Sequence, residues 1–116
     1  MNQDEDARPA RLLWAKTNVT GKDYTQVNST AIIQQAFARP LSGGRAAVVL
    51  FNRDDGPANA SMAVDLRELG WMHRTPVPVR DVVGRRTLPE TQGGGAWETD
   101  VPPHGVVFVV LSLIHI

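Results

Sequence analysis

The chain has 116 residues, enough for one domain built around one core. Its 42% hydrophobic and 21% charged residues are ordinary for a globular protein, and twelve basic residues cancel twelve acidic ones. No block of like charge stands out, which excludes the electrostatic footprint of a protein that binds nucleic acid or an anionic membrane. Cysteine is absent, so neither a disulfide framework nor a thiolate metal site exists. Eight prolines and ten glycines punctuate short apolar runs, the pattern of a short-stranded β protein.

Residues 1–9 read as a charged, unpacked leader. Met1 to Asp6 is acidic and polar, the reverse of a secretory leader, so any targeting segment is expected upstream. Leu12 to Lys16 predicts a first short strand, and residues 17–30 a long polar connection. Ile33, Gln35, Phe37 and Arg39 then alternate with Ile32, Gln34, Ala36 and Ala38, the period of two that sends successive side chains to opposite sheet faces. Ser42-Gly43-Gly44 supplies a tight turn. Ala46 to Phe51 is a continuous apolar run that suits a strand buried on both faces, or one edge of a sandwich core. Together these segments predict a β-hairpin.

Asn52 to Pro57 is dense in turn formers. Ala60 to Val64 is the next expected strand, and Asp65 to Gly70 a single helical turn with Asp65 as its N-cap. Trp71 and Met72 are expected to form a hydrophobic plug. Pro76 to Val83 predicts a strand with its prolines at the start. Arg85 to Gly95 reads as a flexible connection, Trp97 to Val101 as a short strand, and Val101-Pro102-Pro103-His104-Gly105 as a turn into an apolar closing strand, Val106 to Leu111. Val106 to Ile116 is about half a membrane span and is broken by Ser112 and His115, so a strand rather than an anchor is expected.

Several of these stretches resemble, in order, one known domain. The hairpin with its Arg39-Pro40-Leu41-Ser42-Gly43 corner and Asn52-Arg53 end, the Val79-Arg80-Asp81 strand, and the Val101-Pro102-x-His104-Gly105 turn are similar to the C-terminal β-sandwich of family 27 glycoside hydrolases. That family comprises the α-galactosidases (melibiases) and α-N-acetylgalactosaminidases. The resemblance runs from about Ile33 to Leu111, with Asn2-Gln3-Asp4 resembling the point where the family's catalytic barrel gives way to this domain. Two departures stand out: Val82-Val83 replaces the family's Leu-Trp, and residues 17–30 are longer than its usual connection.

The resemblance implies an antiparallel, Greek-key-like β-sandwich of seven or eight short strands over residues 12–111, with 1–11 the end of the barrel region or a linker. It implies that Met1 is an internal position or a spurious start and that the chain is a fragment of a longer protein. The partner would be an upstream catalytic (β/α)8 barrel of the same chain, and the parent could form a homodimer. Neither nucleic acid nor a membrane is expected as a partner. The parent would hydrolyse terminal α-galactosides with retention of configuration, and this domain would stabilise the barrel. Leu111 to Ile116 also resembles the translation of a transposase adapter used in sequencing libraries, so 112–116 are either foreign residues or a strand tail.

Candidate chemistry is sparse. No pair among His73, His104 and His115 has metal-ligand spacing, and His104 reads as a turn residue. Asp54 and Asp55 are adjacent, so their side chains diverge, whereas glycoside hydrolysis needs two carboxyls roughly 5–10 Å apart across a sugar. Glu98 and Asp100 share a strand face that is expected to be solvated. The family's Lys-Tyr-Asp-type motif does not occur, so no catalytic, cofactor or metal residue is assigned. Trp14, Trp71 and Trp97 form either a sugar-stacking platform or, as is commoner in small β domains, part of the core. The platform would fit a free-standing carbohydrate-binding or adhesion module, the alternative function. Asn18, Asn28 and Asn59 each open an Asn-X-Ser/Thr triplet in an expected loop or strand end, which points to a secreted, lysosomal or vacuolar glycoprotein.

Overall fold

The computed structural model describes residues 9–113. Asn2-Gln3-Asp4 and His115, singled out in the sequence, lie outside them. Eight antiparallel strands run in chain order: β1 (Arg11–Thr17), β2 (Ile32–Leu41), β3 (Arg45–Asn52), β4 (Ala60–Asp65), β5 (Pro76–Asp81), β6 (Arg86–Gln92), β7 (Ala96–Val101) and β8 (Val106–Ser112). Six form one sheet, ordered β1-β2-β3-β8-β5-β6, and β4 pairs with β7 in a second. No α-helix occurs among the described residues. The architecture is the expected all-β antiparallel sandwich, and β8 returns from the end of the sequence to lie between β3 and β5.

The β2–β3 hairpin forms as predicted. Leu41 pairs with Arg45 across the Ser42-Gly43-Gly44 connection, where Gly43 and Gly44 take φ of 74° and 71°. Any side chain there would meet the steric cost of the left-handed region. The alternation in β2 places Gln34, Ala36 and Ala38 on the buried side, and Ile33, Phe37 and Arg39 on the other.

The core is made where the two inner faces meet. The large sheet contributes Ala36, Ala38, Ala46, Val48, Leu50, Val77, Val79, Val109 and Leu111, and the small sheet Met62, Val64, Trp97 and Val101. A 3-10 turn, Leu66–Leu69, closes one end, with Asp65 accepting from the Arg67 amide and Gly70 ending the turn at φ 83°. Leu66 beneath it is fully buried. Polar links also cross between the sheets. Trp14 Nε1 of β1 donates to the Ala63 carbonyl of β4 at 2.9 Å, and Asn52 Nδ2 of β3 donates to the Val101 carbonyl of β7 at 2.9 Å. Each gives a backbone carbonyl of the small sheet a side-chain donor from the large one.

Several local expectations are corrected. Arg86–Gln92 is not a flexible connection but strand β6, the edge of the large sheet, held by its pairing with β5. Its side chains are largely exposed, so it lacks the apolar alternation that marks a half-buried strand. Pro89 lies in this edge strand, where a missing N–H is tolerated. β5 stops at Asp81, leaving Val82 and Val83 exposed in the turn, and Pro78 sits within it rather than at its start. Trp71 is buried as expected, but Met72 is 61% exposed and plugs nothing. Of the two readings of the run Ala46 to Phe51, burial on both faces does not hold: Ala47, Val49 and Phe51, and likewise Phe108 and Val110 of β8, stay partly accessible. The 17–30 connection contains two 3-10 turns, Tyr24–Gln26 and Ser29–Ala31, the first closed by a capping box between Asp23 and Gln26. At the other end of the sequence, β8 runs through Ser112, and the Leu113 amide donates to the Gly44 carbonyl at 2.8 Å. Residues 114–116 lie outside the described part.

Candidate functional site

The incompletely buried side of β3 and β8 belongs to a continuous surface. Strand register fixes its composition, because residues paired across neighbouring strands share a face. Phe37, Val49 and Phe108 form one row. On one side of it lies the row Gln35, Phe51 and Val106, and on the other Arg39, Ala47, Val110 and Arg80. Leu41, Arg45 and Ser112 form a fourth.

Phe37 and Phe51 meet edge to face, ring centroids 5.9 Å apart at 85°, which fixes both rings against the sheet. Val106 is 52% exposed. Phe37, Arg39, Leu41, Val49, Phe108 and Val110 are among the residues that line a hollow of 260 Å³, together with Ala10. Apolar side chains that the fold itself leaves uncovered, gathered on one sheet face, are the mark of an interaction surface.

The charged groups of this face are of one sign. Its four rows carry Arg39, Arg45 and Arg80 and no carboxylate. Arg45 Nε donates to the Ser42 carbonyl at 3.1 Å. Arg39 Nε is buried, and no described residue accepts its hydrogen. The sequence gives Arg39 a place in the alternation of β2 and in the corner that carries the family resemblance, and no role beyond these.

The remaining candidates do not converge. His104, at φ 56° in the β7–β8 turn, places Nε2 2.6 Å from Asp55 Oδ1, tying that turn to the β3–β4 loop on the exposed surface. Asp54 turns away to accept from the Gly56 amide. Glu98 and Asp100 are both exposed on the outer side of β7, as a solvated face requires. Among the described residues no group of three His, Cys, Asp or Glu side chains could hold a metal ion. The indoles are dispersed through the packing: Trp71 and Trp97 are buried in the core, and Trp14 packs against it with its N–H bonded to Ala63. They form no exposed stacking platform.

Asn18, Asn28 and Asn59 are all exposed, as are Thr20, Thr30 and Ser61 of their triplets. Asn18 follows β1, Asn59 precedes β4, and Asn28 precedes the second 3-10 turn. Asn28 also lines an open 540 Å³ depression with Lys22, Thr25 and Gln26.

Three carboxylates, Asp23, Asp65 and Asp81, have lowered values, each with a local hydrogen bond as the largest cause. The Arg67 guanidinium holds the Asp65 carboxyl below its usual value, and the Gly84 amide does the same for Asp81. Hydrogen bonding from Thr25, its side chain first, lowers Asp23. All three are stabilised as anions at the surface, and none is raised as a general acid needs.

Comparison with known proteins agrees with this geometry. The family model described as the alpha galactosidase C-terminal beta sandwich domain matches residues 33–111. A probable alpha-galactosidase of Dictyostelium discoideum is 35% identical over 85 residues, covering 69% of this chain and 20% of that protein. Among solved structures, a family 27 β-L-arabinopyranosidase of Geobacillus stearothermophilus superposes with a TM-score of 0.67 at 19% identity, over 94% of this chain and 20% of that one. Alpha-galactosidase I from Mortierella vinacea gives 0.61 at 22% identity, over 93% of this chain and 24% of its own. At such identities the likeness is one of fold. The chain thus spans about a fifth of the curated relative it matches. On the family match, carried through both sheets from β2 to β8, the chain belongs to the alpha galactosidase C-terminal beta sandwich domain family.

Proposed function

We propose that this chain is the non-catalytic C-terminal domain of a larger α-galactosidase-like hydrolase, and that the outer face of its six-stranded sheet docks on a catalytic (β/α)8 barrel in the same polypeptide. The carrying observation is the row Phe37, Val49 and Phe108 with the 260 Å³ hollow beside it. Covering such side chains removes apolar surface from water, so docking stabilises both partners. The chemistry belongs to the barrel: a retaining double displacement on terminal α-galactosides, with one carboxylate as nucleophile and a second as acid/base. This domain supplies no catalytic group. Residues 12–111 are its extent, and residues 1–11 lead to it from the barrel. The exposed triplets at Asn18, Asn28 and Asn59 support a glycoprotein that is secreted or delivered to the lysosome or vacuole.

The test is expression of the full-length gene product with Phe108→Asp. A charge placed in the middle of the face is expected to split one cooperative thermal transition into two and to shorten the half-life of α-galactosidase activity. An unchanged single transition, or a gene product without a barrel, overturns the reading.

A further inference from the structure

We infer that Arg39 is the polar anchor that orients this docking, and that the docked surface presents an acceptor oxygen, carbonyl or carboxylate, to its guanidinium. The inference rests on the docking reading and names the contact that would make one orientation preferable to the others. An apolar face alone is non-directional, since hydrophobic burial scales with area and not with angle.

Three observations converge on Arg39. Its Nε lies beyond the reach of solvent, yet no described residue accepts its hydrogen. Buried donors in folded proteins are nearly always paired, so an orphan of this kind asks for a partner from outside the described fold. Arg39 stands in the outer row with Ala47, Val110 and Arg80 and lines the 260 Å³ hollow, so its side chain belongs to the surface which docking would cover. Among the described residues the four rows of this face hold three arginines and no carboxylate, so an acceptor oxygen on the occupant would complement its charge. Arginine is enriched at interface centres because its planar fork bonds an oxygen acceptor while its stem packs against apolar neighbours.

The experiment compares Arg39→Met in two settings, the 116-residue chain alone and the full-length protein. Methionine keeps an unbranched apolar stem and removes every donor. In the isolated chain the substitution removes an unpaired donor, so the urea midpoint is expected to hold or rise. In the full-length protein it removes a charge-assisted bond. Native-state proteolysis of the sandwich, under conditions where cleavage follows the open population, should accelerate about tenfold to a hundredfold. Arg39→Lys, which retains charge but loses the fork, should fall between.

A drop in the midpoint of the isolated chain as large as that in the full-length protein overturns the inference, because Arg39 then serves the fold itself. Unchanged proteolysis in Arg39→Met, alongside a split transition in Phe108→Asp, overturns the anchor and leaves the docking intact. No response to either substitution overturns both. If the isolated chain is a dimer that Phe108→Asp dissociates while the full-length protein is unaffected, a second copy is the occupant and the inference likewise fails.

Discussion

Asn52 and Val101 are joined by a hydrogen bond that crosses the sandwich, from the Asn52 amide nitrogen to the Val101 carbonyl at 2.9 Å. Asn52 ends β3 in the large sheet, and Val101 ends β7 in the small one. The Asn52 side-chain oxygen meanwhile accepts from the Asp54 amide at 3.1 Å, and its backbone N–H donates to the Gly105 carbonyl at 3.0 Å. One side chain, 1% exposed, therefore sets the end of β3, the start of the following loop and the separation of the sheets. Asn52→Leu would leave the Val101 carbonyl and the Asp54 amide without partners. The expected loss is about 1–3 kcal/mol in urea unfolding of the chain. Asn52→Asp should cost at least as much, since a second acceptor would face the Val101 carbonyl. A loss below half a kcal/mol in either variant contradicts this role.

The β6–β7 turn makes a sharper case. Gly93 and Gly94 lie directly against the backbone of the segment after Trp71. A Cβ on Gly93 would collide with the His73 carbonyl oxygen, and one on Gly94 would come within 2.7 Å of the Met72 carbonyl oxygen while also holding φ at 79°. Gly95 is free of this crowding, its nearest such atom being the Gln92 carbonyl at 3.7 Å. Gly93→Ala and Gly94→Ala are each expected to lose about 1–3 kcal/mol of stability. Gly95→Ala should be neutral or slightly stabilising, through the entropy of the unfolded chain. Equal behaviour of the three would return this turn to the flexible linker that its composition suggests.

Acid stability follows from the carboxylates at the surface. Asp23, Asp65 and Asp81 all have lowered values in the folded chain, through Thr25, Arg67 and the Gly84 amide respectively. A folded-state value below the unfolded one adds stability that is fully present above the unfolded carboxylate range, about 3.9, and is lost as pH falls through the folded value. The melting temperature should therefore be nearly flat from pH 7 to 5 with respect to these groups and decline below about pH 4. Asp65→Asn combined with Asp81→Asn should make the acid limb shallower, because asparagine still accepts at both turns but does not titrate. A steeper limb in that double variant would contradict the assignment.

The three triplets are open to a direct assay. After secretion from a eukaryotic host, Asn18, Asn28 and Asn59 should each carry a glycan, and enzymatic removal should lower the mass in three steps. Asn18→Gln, Asn28→Gln and Asn59→Gln should each delete one step with little change in the melting temperature, since all three side chains are exposed. A secreted chain whose mass does not change on treatment refutes the use of all three.

How much of this could be read from sequence depends on which physical signal each residue carries. The period of two in β2 and the Gly-Gly connection are local signals, and the hairpin followed from them. Local pattern did not say which side of β2 faces inward. The buried side holds Gln34, Ala36 and Ala38 while Phe37 faces out, so the larger apolar residue lies on the surface. That inversion is the fingerprint of a second face with a use of its own, visible only once the small sheet is seen covering the alanines. β6 left no signal because an exposed edge strand needs neither apolar alternation nor large side chains. Asn52 read as a turn former, which it is, but its bond to Val101 spans 49 positions and has no trace in the neighbouring sequence. Family resemblance succeeded where periodicity was silent, and its span, Ile33 to Leu111, coincides with the matched domain.

The placement of β8 has a consequence for how the chain comes to be folded at all. Val48 pairs with Val109 and Leu111 with both Ala46 and Val79, so the middle of the large sheet waits on β8, the last of the eight strands to be synthesised. Until then β1-β2-β3 and β5-β6 are two separate ribbons, each with an unpaired inner edge open to a neighbouring chain. Closing a loop of that length before its contacts form is slow. Synthesis that stalls between Gln92 and Val106 therefore leaves not a smaller sandwich but two sticky halves. For this domain, the interval between emergence of Asn52 and emergence of Leu111 is when aggregation and chaperone capture compete with folding.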